Sequence, residues 1–384
     1  VIAFGAPARR KFPLEAGVFF LNHGSFGAAP HVVLRAAERW RREMEANPDR
    51  FMREVLPAAL RGAAVRLAKT LKVDSDHLAF IENATSGANA VLRSLAFRRG
   101  EEILLTSHSY GAVRQAARYV SARTGARVVE ARMPFPVSRD ADLVEPIRER
   151  LSRRTRLVVL DHIASPTGVV FPVRRLAALA RRAGARVLVD GAHAPGQLTL
   201  DIPSLGVDWY VGNCHKWLFA PRGCAFLWAK KGEVHPLSIS HGYRKGFAAE
   251  FDWTGTRDFS PWLAVPAALD FLQAARPARV RQHNHALVTQ AARMLANAWG
   301  EPLGGPAEMH ANMMCIRLPR EVGPALPFRA RLLAKHRLVV ALMEVDGTAW
   351  CRISAQIYNT ASDYDRLRDA VLQEASRASR RSRG

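Results

Sequence analysis

The chain has 384 residues, 48% hydrophobic and 23% charged, an ordinary globular composition with enough length for one large domain and a smaller one. Its four cysteines (Cys214, Cys224, Cys315, Cys351) are scattered without the paired spacing of a zinc site and are too few for a disulfide framework, so no metal is expected and a reducing compartment, by default the cytoplasm, fits best; no apolar run reaches the ~18 residues of a membrane span, and no leader pattern opens the chain. The formal net charge of +22 is mostly arginine spread along helical stretches (Arg39, Arg41, Arg42; Arg181, Arg182), and with no basic stripe interleaved with aromatics it argues for solvated faces, not specific nucleic-acid binding.

In chain order, residues 1–20 are mixed and proline-containing and are expected to form a segment packing on the smaller domain. "FFLNHGSFGAAP" reads as a short strand running into a glycine-rich loop, and a helix follows from about Pro30, with Val33, Ala37, Trp40 and Met44 at helical spacing, ended by "NPDRF". A regular alternation then begins. "LAFIENA", "EILLTS" and "RLVVLDHIAS" read as strands, each followed by an amphipathic helix, and "RVLVDGA", "DWYVGNC" and "CAFLWAK" continue the strand series. Short apolar runs separated by amphipathic helices predict an α/β domain with a mostly parallel mixed sheet flanked by helices, over residues 21–265. Beyond "FSPWLAVPAALDFL" come two long helical stretches, strand-like "MMCIRLP", "LVVALME" and "AWCRISA", and a last helix after Asp363. These predict a smaller α+β domain over residues 266–384, closed by a basic tail, "SRASRRSRG", read as disordered.

Sheets of this kind bind ligands at the carboxyl ends of their strands. Asp190 ends "RVLVD", and a buried carboxylate there requires a cationic partner. Lys216, in "VGNCHKWLFAP", follows the next strand, and burial among apolar neighbours frees its neutral amine for attack on a carbonyl. "NATSGANAV" opens a helix, where Thr85 and Ser86 offer hydroxyls and N–H groups to a phosphate. A lysine for an aldehyde, an acid for a pyridine nitrogen and an anion site together specify pyridoxal 5′-phosphate.

"LVDGAHAPG", "GNCHKWL", "WTGTRD" and "CRISAQIYNT", in this order, resemble fold-type I pyridoxal-phosphate enzymes of the class V aminotransferase superfamily, with "FLNHGSFG" and "HSYGAV" similar to the isopenicillin N epimerase-like branch; the resemblance spans roughly residues 17–375. It implies that Lys216 forms the Schiff base, Asp190 pairs with the ring nitrogen and His193 bonds the phenolic oxygen. It implies further that His215, Thr85 and Ser86 hold the phosphate, with Asn213 as an additional candidate. Thr256 would reach the phosphate of a neighbouring subunit, making a homodimer with a shared active site. His108 and Tyr110 both stand as candidates for ring stacking and catalysis, with the following Ala-Val favouring Tyr110; Arg352 is the expected clamp for a substrate carboxylate, and Asn22 and His23 are substrate-side candidates.

The expected reaction removes the Cα proton of an L-amino acid or of a compound bearing an amino acid end. Reprotonation from the opposite face gives epimerisation, the route to which the resemblance points. Loss of a sulfur group from Cβ gives C–S β-elimination, as in ergothioneine-type lyases, and delivery of the proton to the cofactor gives transamination. The sequence leaves these open. A persulfide-relaying cysteine desulfurase is not expected, because "RLVVALMEVDGTAW", ahead of Arg352, lacks the nucleophilic cysteine of that branch. A non-catalytic basic binding protein on this fold is the alternative from another class, and the intact Lys216, Asp190 and Arg352 set argues against it.

Overall fold

The computed structural model describes residues 2–381. The chain enters through β1 (Phe19–Phe20), α1 (His31–Ala46) and α2 (Leu56–Leu71). It then alternates through β2 (Leu78–Ile81), α3 (Ala84–Ser94), β3 (Glu102–Thr106), α4 (Gly111–Thr124), β4 (Arg127–Ala131), α5 (Ala141–Arg150), β5 (Thr155–Asp161), α6 (Val173–Arg182), β6 (Arg186–Asp190), β7 (Trp209–Asn213) and β8 (Ala225–Ala229). The rest comprises α7 (Val265–Ala274), α8 (Pro277–Trp299), β9 (Met313–Arg317), α9 (Ala325–His336), β10 (Leu338–Val339), β11 (Ala341–Val345), β12 (Thr348–Ser354) and α10 (Ala361–Arg381).

Seven strands form one sheet in the order β2-β8-β7-β6-β5-β3-β4, parallel except where β8 pairs antiparallel with β2 and β7. Its inner strands carry apolar runs because both faces are covered, whereas the edge strand β4 is partly exposed. Phe80, Leu104, Val158, Leu160 and Val187 face a core shared with Leu60 and Leu67 of α2 and Leu176 of α6, whereas Ile81, Ile103, Leu105, Val159 and Leu188 face a second core shared with Val91 of α3 and Val113 of α4. The carboxyl ends of β5, β6 and β7 therefore open at one edge between the layers, where the strand-end polar residues gather.

A second sheet, β11-β12-β9, is antiparallel and packs its Met314, Ile316, Leu342 and Ile353 against Leu287 and Leu295 of α8 and Leu367 of α10. The short β1 pairs in parallel with β10, and the Ser354 N–H donates to the Leu21 carbonyl, so the beginning of the chain is stitched to its last third.

The structure differs from the sequence reading in five places. The segment read as a loop before Pro30 contains a helical turn, His23–Phe26. Gly27 ends that turn at φ 69°, where a Cβ would stand 2.0 Å from the His215 carbonyl oxygen, so only glycine permits the approach. The strand β4 and the helices α5 and α9 were not expected. Finally, the basic tail read as disordered continues α10 to Arg381, and its last three residues lie outside the described residues.

Candidate active site

The strand ends, the start of α3 and the turn after β7 enclose a cavity of about 530 Å³, whose wall includes Lys216, Asp190, Asp161, His193, Thr85 and Tyr110. The turn is fixed by backbone bonds: the Cys214 and His215 N–H groups both donate to the Cys224 carbonyl, and His215 Nδ1 lies 2.9 Å from the same oxygen. That carries Lys216 inward off the end of β7.

Lys216 is 9% exposed, and its Nζ lies 3.0 Å from His193 Nε2. Burial, and then the charge of Arg352, push its pKa from 10.5 down to about 7 against the pull of Asp190. The amine is therefore substantially neutral at physiological pH. With Lys216 donating, His193 accepts at Nε2 and carries its hydrogen on Nδ1, a buried atom without a partner among the described residues. Burial, then Lys216 and Arg352, holds His193 neutral, well below the usual histidine range.

Asp190 ends β6, accepts the Ala192 N–H at 3.0 Å, and is pushed above the usual carboxylate range by burial. Its register partner on the adjacent strand is Asp161, which ends β5 and is raised well above that range by burial and by the Asp190 charge. Sequence reasoning missed Asp161, although "VVLD" repeats the apolar run and terminal carboxylate of "VLVD".

At the anion end, Asn83 caps α3 by accepting the Ser86 N–H at 2.9 Å, and Asn213 accepts the Ala84 N–H at 2.9 Å. Asn213 thus fastens the helix start, while Thr85, Ser86 and His215 line the cavity there. Burial draws His215 down to about 4. The cap Asn83, also missed, has the signal of an Asx residue three positions before Ser86.

Arg352 is buried behind the wall. One guanidinium nitrogen donates to the Ser165 carbonyl, the other to Ser25 Oγ at 3.1 Å and Asn22 Oδ1 at 3.3 Å, and Nε has no partner among the described residues. Burial lowers it to about 10, leaving it cationic. Asn22 therefore acts on Arg352, and Ser25 and Ser165 form the intervening wall.

Three sequence candidates lie elsewhere. His23 is fully buried beneath the lysine, with Nε2 3.0 Å from the Lys216 carbonyl and Nδ1 2.9 Å from the Tyr358 hydroxyl, and burial draws it down to about 3. His108 packs back among Phe135 and Phe171, away from the cavity wall, whereas Tyr110, two residues on, starts α4 on that wall and is 47% exposed. Thr256 is exposed and off the cavity wall; Arg257 beside it pairs with Glu82. Among the described residues, no group of three or more His, Cys, Asp or Glu could hold a metal ion.

A near-neutral buried amine, an unpartnered His193 Nδ1, a carboxyl pair and a capped helix start fit an aldehyde-bearing ring with an acidic nitrogen and a phosphate. The family model for aminotransferase class-V matches residues 18–367. The putative L-cysteine desulfhydrase 1 of Oryza sativa subsp. japonica is 35% identical, over 93% of this chain and 83% of its own length. The isopenicillin N epimerase of Streptomyces clavuligerus is 33% identical, over 95% and 96%. The crystal structure of the cysteine desulfurase CsdA from Escherichia coli superposes with a TM-score of 0.80 at 21% identity, covering 97% of this chain and 98% of that one, which shows a common fold. With its lysine and aspartate on the strand ends of that fold, and the family's pattern along nearly its whole length, this chain belongs to the class V aminotransferase family.

Proposed function

We propose that the chain is a pyridoxal-phosphate-dependent enzyme that takes the Cα proton from an L-amino acid and expels a sulfur group from Cβ. The observation that carries the Cα chemistry is the Lys216 amine, buried against His193 with a pKa drawn down to about 7. When bound, pyridoxal phosphate supplies the aldehyde that captures the amino acid and the ring that takes up its electrons. Thr85, Ser86 and His215 would hold the phosphate, Asp190 would keep a proton on the ring nitrogen, and the His193 Nδ1–H would be free to donate to an oxygen of the ring. The Arg352 guanidinium, one layer behind Ser25 and Ser165 on the wall, supplies the positive charge toward which the substrate carboxylate is drawn, and Lys216 Nζ takes the Cα proton. Tyr110 gives its phenolic proton to the departing sulfur. The Cα–H and Cβ–S bonds break, a thiol leaves, and hydrolysis yields pyruvate and ammonium.

The positions of His23 and His108 favour elimination over epimerisation. Epimerisation needs an acid or base on the far face of Cα, and these two histidines, which have the chemistry for it, are both packed away from the cavity. The relatives named L-cysteine desulfhydrase support this order. Epimerisation, with Tyr110 as the second acid, is the alternative, supported by the match to 96% of the length of the Streptomyces epimerase. Incubation with L-cysteine and cysteine S-conjugates should release pyruvate; Cα deuterium exchange without pyruvate would favour the epimerase.

The same reading makes the enzyme a homodimer in which Thr256 reaches the partner's phosphate, with the exposed Leu237, Ile239 and Tyr243 in the contact. Mixing two inactive variants, Lys216→Ala and Thr256→Ala, should then alter activity relative to either alone. We likewise keep the division into a large domain to residue 265 and a small one beyond. No helix among the described residues is long and apolar enough to cross a membrane.

A further inference from the structure

Asp161 has no part in the chemistry above, yet it is among the most buried polar groups of the cavity wall. It is 2% exposed, and its Oδ2 has no partner among the described residues. It stands in register with Asp190 on a parallel neighbour, about 4.8 Å away along the sheet, so both carboxyl groups project from the same face. The His162 N–H donates to the Asp190 carbonyl at 2.8 Å and locks that register. On its other side, Asp161 takes the Ser109 hydroxyl and the Tyr110 N–H as hydrogen-bond donors. The titratable groups around the pair are Lys216 across the cavity and Tyr210 below, whose hydroxyl is 2.8 Å from His162 Nδ1.

Two buried carboxyl groups at this spacing cannot both ionise, because each charge disfavours the other in a medium of low polarity. Ser109 and Tyr110 favour the Asp161 anion as Ala192 favours that of Asp190, so the deciding difference is the charge of Lys216, which bears on Asp190. Asp161 is left to hold the proton. A protonated carboxyl can accept from Ser109 and Tyr110 through its carbonyl oxygen and donate through the other, which is the oxygen lacking a partner.

We propose that Asp161 is a positioning residue for the cofactor: it carries the proton of a two-carboxyl seat of single negative charge, and it pins the turn that sets Tyr110 against the cofactor ring. This rests on the pyridoxal-phosphate reading, so the native protein is the first control. Failure of the native chain to bind pyridoxal phosphate sinks that reading, whereas the variants below test only the proposal.

The experiment measures pyridoxal-phosphate affinity by fluorescence titration, and induced circular dichroism of the bound cofactor, for Asp161→Asn, Asp161→Leu, Ser109→Ala and Asp190→Asn. Asparagine reproduces the neutral acid, one acceptor and one donor, and should bind within about threefold of native. Asp190→Asn removes the charge and should bind at least about tenfold more weakly. Asp161→Leu and Ser109→Ala free the turn and should reshape the induced dichroism, with Ser109→Ala serving if the leucine variant fails to fold. Asp161→Asn binding as poorly as Asp190→Asn would overturn the proton assignment. Unchanged dichroism in both turn variants would overturn the positioning role.

Discussion

Replacing Lys216 with methionine should stabilise the cofactor-free protein at neutral pH. In the fold the amine titrates at about 7, against 10.5 when solvated. Between those values the unfolded chain binds a proton that the folded chain does not, so stability rises with pH across that window and falls as pH drops toward 7. A gap of about 3.5 units at ~1.36 kcal/mol each corresponds to about 5 kcal/mol, nearly all of it present at pH 7. Methionine fills similar volume without a charge, and loses the hydrogen bond to His193, worth about 1 kcal/mol. The net expectation is a gain of about 3 kcal/mol at pH 7, shrinking toward zero as the pH approaches 10. Urea unfolding of both proteins at pH 7, 8.5 and 10 measures the difference, in which every other titrating group cancels. A stability difference between the two proteins that does not change with pH would show that Lys216 is not held neutral by its surroundings, and the argument for its reactivity would fail.

Arg352→Gln should raise KM by about 100-fold, equivalent to losing ~2.7 kcal/mol of charge attraction for a carboxylate, with little change in cofactor absorbance; an unaltered KM assigns the carboxylate to another group. Tyr110→Phe should slow pyruvate release more than Cα deuterium exchange, and equal slowing of both would remove Tyr110 from protonation of the leaving group. Gly27→Ala places a Cβ 2.0 Å from a backbone oxygen at positive φ, so thermal unfolding should report a loss of more than about 3 kcal/mol; a loss under 1 kcal/mol would mean that the turn can shift.

The large sheet was legible because burial on both faces leaves long apolar runs with no polar interruption, as in "LVVLD". The edge strand β4 was not, since half-exposed Arg127 and Glu130 break that pattern, and Pro146 disguised α5. Lys216 and Asp190 were found as polar residues at strand ends. Asp161 obeys the same rule, but nothing in one sequence states that β5 lies beside β6 in register. His23 and Lys216 are 193 residues apart, so no local spacing could reveal the bond between them. His108 and Tyr110 differ only in which way each leaves the strand end: one packs inward against aromatics and the other starts a helix at the cavity.

The stitching of β1 to β10, of Leu21 to Ser354 and of Asn22 to Arg352 has a bearing on how the chain is made. Residues 19–22 are synthesised more than 300 residues ahead of their partners, so the substrate-facing half of the site cannot assemble until residue 354 has been made. Any chimera that exchanges the last third of the polypeptide must therefore carry the opening segment with it, or the two ends will meet as strangers.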